Sequence, residues 1–134
     1  MGLEKRIILT GELKDTRSLY RDASVVVLSS ENEGLALVAY EAMAMGAVVV
    51  STDVGGQSEL LTADCLVPSS GDVAESLDIA VWPYLVDPGK RRDKGIGNRD
   101  AIVNCHQADA TFVAIRKLYA TLMAEKSTGS LPRV

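Results

Sequence analysis

Aromatic side chains are scarce in this chain: one Phe, one Trp and four Tyr, 4% of 134 residues. Its core must rest on Val, Leu, Ile and Ala, as is common in α/β proteins. No apolar run approaches ~20 residues, which excludes a membrane-spanning helix. Basic residues are not in excess: 14 Lys and Arg stand against 18 Asp and Glu, a net charge of −4. That balance leaves no electrostatic footprint for nucleic acid. The start, Met1-Gly2-Leu3-Glu4-Lys5-Arg6, has no apolar signal-peptide segment. Arg6 stands where myristoylation of Gly2 wants Ser or Thr. Only two cysteines occur, Cys65 and Cys105, far apart and without metal-ligand spacing. Two free, mostly buried thiols in a cytoplasmic protein are expected. The single histidine, His106, lies in a polar stretch and is expected to be structural or solvent-facing.

What is present is globular: 47% hydrophobic and 24% charged residues. The length suits one domain, here expected over residues 1–126, with a flexible tail over 127–134. Arg6 to Thr10 reads as a strand closed by Gly11. Leu13 to Asp22 has helical spacing, with Asp15 or Thr16 as its cap. Ser24 to Leu28, rich in β-branched residues, reads as a second strand. Ala47 to Ser51 shows no alternation, so a third strand buried on both faces is expected. Gly55-Gly56 makes a turn before a short helical segment, Gln57 to Leu61. Cys65 to Val67 is a brief fourth strand. Asp72 caps a helix to about Leu85, with Pro83 cutting or kinking its last turn. Gly95-Ile96-Gly97 is expected to interrupt any helix in that region, and Lys90 to Lys94 reads as a solvated charge run. Ala108 to Glu125 is a long amphipathic helix. The alternation argues an α/β fold with a short parallel sheet of about four strands.

Between the second and third strands lies the most informative stretch, Ser29 to Gly46. Glu33-Gly34 breaks the strand, Leu35 to Met45 are good helix formers, and Gly46 is a C-cap. The turn therefore sits at a strand's carboxyl end and a helix's amino end. The helix is apolar nearly all round except for Glu41, which suggests a buried carboxylate in need of partners. The amides of Leu35, Ala36 and Leu37, after Gly34, make a ready anion site. A plain structural reading competes: a carboxylate on a solvated edge, and a glycine needed only for the turn.

The pattern Ser30-x-x-Glu33-Gly34, Glu41-Ala42-Met43-Ala44-x-Gly46, Val48-Val49-Val50-Ser51 and Val54-Gly55-Gly56-x-x-Glu59-Leu60 closely resembles the group 1 glycosyltransferases of GT-B fold. The spacing from Glu33 to Glu41 matches that family's Glu-x7-Glu motif. The resemblance covers roughly residues 6 to 125. Three departures stand out: Ser29 and Ala47 where the family usually has Pro, and Ala36 where it usually has Gly. Of these, Ala36 matters chemically, because a methyl there would crowd a phosphate.

The resemblance implies a partial C-terminal Rossmann-like domain that binds a nucleoside-diphosphate sugar as substrate, with neither cofactor nor metal. It implies that the amides of Leu35, Ala36 and Leu37, after Gly34, with the Ser30 hydroxyl, bind the diphosphate. Glu41 takes the ribose hydroxyls, Glu33 is the catalytic carboxylate beside the transferred sugar, and the loop after Gly11 lies near the base. The implied reaction is transfer of a hexose with retention to an acceptor held by an N-terminal domain that this chain lacks. The family's diphosphate-neutralising Arg and Lys precede the matched region, and Lys14 and Arg17 are the nearest cations here. The 134-residue chain alone is expected to be inactive. The alternative is a non-catalytic nucleotide-binding or assembly module. An apolar edge left by the missing strands further suggests a homodimer.

Overall fold

The computed structural model describes residues 2–106 and 108–127, the last two as backbone only. Three parallel strands form the sheet: β1 (Val25–Leu28), β2 (Val48–Thr52) and β3 (Leu66–Val67), in the order β1-β2-β3. Val25 lies opposite Val48 and Leu28 opposite Ser51, while Ser51 and Thr52 also face Leu66 and Val67. Every residue of β2 is buried, as a central parallel strand covered on both faces must be. Around the strands run α1 (Arg17–Asp22), α2 (Leu37–Ala44), α3 (Gln57–Leu60), α4 (Val73–Val86), α5 (Pro88–Cys105) and α6 (Ala108–Ser127). The core joins Ala39, Ala42 and Met43 of α2 with Val48, Val49 and Val50, Cys65 and Tyr84.

Three strands are found where four were expected. Residues 7–10 form no strand, and Ile8 and Leu9 are 85% and 93% exposed. Strand propensity needs a partner ladder and a face to bury, and no edge reaches this run. β1 is therefore the open edge of the sheet. The flexible tail expected over residues 127–134 lies outside the described residues, apart from Ser127, which ends α6. No described helix is long and apolar enough to cross a membrane.

Caps account for the helix boundaries. The Asp15 carboxylate, not Thr16, accepts from the Arg17 amide at 3.0 Å and opens α1. Asp72 accepts from the Glu75 amide at 2.9 Å and opens α4. Pro83 falls in the last turn of α4 without ending it: the helix continues to Val86. Asp87 ends α4 and also caps α5, accepting from the Lys90 amide at 2.9 Å, with Pro88 at the first helical position.

Contrary to the expected break at Gly95-Ile96-Gly97, α5 is continuous from Pro88 to Cys105. The reason is tertiary. A Cβ on Gly95 would stand 2.2 Å from the Gly46 carbonyl oxygen, so glycine there lets α5 pass against the end of α2. Packing and capping outweigh a propensity cost of about 1 kcal/mol per glycine. The end of α2 is itself a Schellman motif. Gly46 has φ +81°, its amide bonds the Met43 carbonyl, and the Ala47 amide bonds the Ala42 carbonyl. From α5, Asn98 Nδ2 donates to the Ala47 carbonyl at 2.8 Å, and Arg99 donates to the Ala44 carbonyl.

A second polar cluster ties α4 and α5 to the turn before β3. Tyr84 donates to Asp64 at 2.5 Å, Lys94 Nζ donates to both Asp64 oxygens at 2.9 and 3.0 Å, and Lys94 also bonds Thr62. Burial by itself would raise the Asp64 pKa. Bonds from Thr62, Tyr84 and Lys94, with the charge of Lys94, outweigh it and hold the carboxyl well below the usual range. Burial, then the bonds to Asp64 and Cys65, push the Tyr84 hydroxyl up. Of the two cysteines, Cys65 is buried as expected, but Cys105 is exposed because it ends α5 on the outside. His106 is exposed and meets the Tyr40 ring edge-on at 5.3 Å.

Two outcomes are expected from this packing. Gly95→Ala should lower stability by about 1–3 kcal/mol through overpacking. Gly97→Ala, where a Cβ meets nothing within 4 Å, should raise it by up to about 1 kcal/mol; urea denaturation of the two variants checks the contrast. Asp64 has a folded pKa below its unfolded value of about 3.9, so its contribution is present above that pH and is lost as pH falls through the folded value. Asp64→Asn should therefore be less stable near neutrality and lose less stability on acidification, as melts from pH 7 to pH 2 would show.

Candidate functional site

Helix α5 and the Asp64 cluster lie at the amino ends of the strands. The carboxyl ends are left to three loops, which is where parallel α/β sheets bind ligands. Two of these loops are locked together. Thr52 Oγ1 donates to the Ser30 carbonyl at 2.6 Å, and the Gly56 amide donates to the Gly34 carbonyl at 2.7 Å. Gly55 has φ +58°, and a Cβ there would stand 1.9 Å from the Glu33 carbonyl oxygen. Only glycine permits this backbone-on-backbone seam.

On the locked loops, Ser30 donates its hydroxyl proton to Glu33 Oε1 at 2.8 Å, and Glu33 is half-buried. The sequence reading gave that hydroxyl to a diphosphate; here it orients the carboxylate, because Ser30 and Glu33 meet across the turn. Gly34 is exposed, its φ is not left-handed, and a Cβ would meet nothing within 4 Å. Neither backbone strain nor crowding within the protein requires glycine there. Helix α2 then starts at Leu37 with no side-chain cap and no acidic residue in its first turn. Its positive end is thus unneutralised by the protein. Ala36 is buried in the core cluster, so its methyl packs inward and does not crowd the rim, as the sequence had suggested it would. Leu35 and Leu37 are exposed.

Glu41 is exposed rather than buried as its apolar neighbours suggested. The helix is too short of cover on that side: Leu37 and Val38 are exposed as well. Glu41 lines a cleft of about 380 Å³ between α2 and α1, with Lys14, Asp15, Thr16, Arg17, Tyr20, Ala44 and Met45. Among the described residues, no protein side chain pairs with its carboxylate. Arg17 is engaged with Asp15 through a forked pair at 2.9 and 2.7 Å. Those hydrogen bonds bring the Asp15 pKa down to about 2. Gly11, expected near a base, is exposed at φ +62° and does not line this cleft.

The structure thus brings Ser30, Glu33 and Gly34 together on the rim, and places Glu41 on helix α2 at the cleft wall. Sequence reasoning missed the cleft's other wall. Part of the signal was available: Arg17 and Tyr20 stand three residues apart in α1 and so share one side of it.

Comparison with known proteins agrees with this geometry. The family model described as "Glycosyl transferases group 1" matches residues 1–85, well over half of the chain. The lipopolysaccharide core biosynthesis mannosyltransferase LpcC of Rhizobium leguminosarum bv. viciae is 38% identical over 91 residues, which make up 65% of this chain and 25% of that protein. The D-inositol 3-phosphate glycosyltransferase of Salinispora arenicola is 36% identical over 115 residues, covering 82% of this chain and 25% of that protein. The structure of sucrose-phosphate synthase from Thermosynechococcus elongatus superimposes with a TM-score of 0.80 at 30% identity, over 91% of this chain and 31% of that one. The chain therefore spans between a quarter and a third of the length of these proteins. By its motif, its fold and this match, the chain belongs to the group 1 glycosyltransferases and corresponds to part of their C-terminal, GT-B-type domain.

Proposed function

We propose that this chain is the donor-binding part of a retaining glycosyltransferase that moves a hexose from a nucleoside-diphosphate sugar to an acceptor. The observation that carries the reading is Gly34: a glycine that the fold does not require, open on its flank, beside an unguarded helix start. In this reading the diphosphate rests on the amides that follow Gly34. Glu41 accepts hydrogen bonds from the ribose hydroxyls, and the base lies toward Tyr20 and the loop after Gly11. Glu33, oriented by Ser30, faces the transferred sugar. When the bond from the sugar to the diphosphate breaks, the diphosphate keeps the electron pair, and the positive end of α2 stabilises that charge. The reading calls for no cofactor beyond the sugar nucleotide, and the two unpaired cysteines suit a cytoplasmic setting.

A second reading is a nucleotide-binding or assembly module without catalysis of its own. The acceptor side, and the cations that would neutralise the diphosphate, are not among the residues described. Proximity supplies a large share of transfer catalysis, so the chain alone should bind donor but not turn it over. Sugar release from a nucleotide sugar by the pure chain, abolished in Glu33→Gln, would contradict that expectation. We also propose self-association through the open β1 edge or the exposed apolar side of α6, where Phe112, Tyr119 and Met123 are 62%, 64% and 72% exposed. Light scattering over a concentration series should show mass rising toward a dimer.

Calorimetry with UDP, GDP and ADP tests the donor site. Gly34→Ala should leave stability within about 0.5 kcal/mol and reduce affinity for the preferred nucleotide at least tenfold. Unchanged affinity would remove the main support for the reading. Glu41→Gln should weaken binding by about tenfold, since a hydrogen bond to a charged group contributes about 1.5–3 kcal/mol and ~1.4 kcal/mol is a factor of ten. If Glu41→Gln instead binds normally and melts lower, Glu41 is a structural residue.

A further inference from the structure

Gln57 is the first residue of α3 and is completely buried, yet neither its Oε1 nor its Nε2 has a hydrogen-bond partner in the protein. Buried amides are rarely left so, because both polar atoms forfeit their bonds to water. Its place makes the omission informative. Leu60 and Leu61, three and four residues on, are buried members of the core cluster that also contains Ala36, so Gln57 shares the inward side of α3 with them. Immediately before it, the Gly55-Gly56 backbone is seamed to Glu33 and Gly34. Gln57 therefore stands at the root of the segment that holds the rim loop. Of that loop, the start of α2 has no side-chain cap. A methionine would fill a similar volume at this position without either polar atom.

Building on the donor-site reading above, we propose that Gln57 is a positioning residue for the rim. Its carboxamide takes up hydrogen bonds to the backbone of residues 33–36 as that loop settles around a bound diphosphate. The amide is an acceptor and a donor at once, so it can serve both the N–H groups at the start of α2 and a carbonyl of the turn. Binding then recovers hydrogen bonds that the fold alone does not make. Part of the ligand's affinity comes from a residue it never touches.

The test is Gln57→Met, studied by thermal melts and by calorimetry with UDP, GDP and ADP. The variant should melt a few degrees higher, because two unpaired polar atoms are gone, and should bind the preferred nucleotide at least fivefold more weakly. Hydrogen exchange at residues 34–37 should slow on nucleotide binding in the parent chain and much less in the variant. A merely structural role would move the melt and leave affinity alone. Wild-type affinity in Gln57→Met therefore overturns the proposal while the donor-site reading stands. A lower melting temperature overturns it too, since the amide would then already be paired. If the parent chain binds none of the three nucleotides, the donor-site reading fails and this inference falls with it.

Discussion

Helix α2 is closed at one end by the protein and left open at the other. Its last carbonyls are taken by the Schellman turn at Gly46 and by Arg99, Asn98 bonds the Ala47 carbonyl just beyond, and α5 can come near enough because Gly95 has no side chain. A guanidinium and an amide at a helix C-terminus complement the negative end of its dipole. Nothing comparable sits at the start of α2. The unbalanced end points to the carboxyl side of the sheet, where the rim is.

That rim is held by backbone rather than by side chains. The Gly55 turn presses on the carbonyls of Glu33 and Gly34 at a distance that admits no Cβ, and Thr52 and Gly56 add two bonds across the same seam. Such a seam holds the root of the loop with little side-chain entropy to lose. It leaves Ser30 and Glu33 to orient one another. The glycines thus divide by role: Gly46, Gly55 and Gly95 answer steric or conformational demands within the protein, whereas Gly34 answers none.

The opposite end of the sheet carries the Asp64–Tyr84–Lys94 cluster, which joins α4 and α5 to the turn before β3. Scaffold chemistry and site chemistry are therefore segregated to the two ends of the strands.

Much of this was legible in order along the chain. The β-branched runs became β1 and β2, Asp72 capped α4, and the Glu33–Glu41 spacing with its glycines identified the family. These are local properties: period, caps and motif spacing act within a few residues and do not depend on distant partners. What failed was whatever needed a partner elsewhere in the fold. Ile7 to Leu9 has strand propensity but does not pair with the open β1 edge, so it stays outside the sheet and exposed. Gly95 and Gly97 read as a break, and only the approach of α5 to Gly46 turned the first of them into a packing requirement. Glu41 read as buried from its neighbours, yet α2 is covered on one side alone. Ala36 read as a crowding methyl, and its backbone direction sends it into the core. The unpaired amide of Gln57 has no signature in spacing, and the cleft wall has one only in the Arg17–Tyr20 pair of α1. Sequence determined which elements form and what chemistry they carry; tertiary structure decided which side of each faces the core, because burial belongs to the assembled pair of surfaces and not to either one alone.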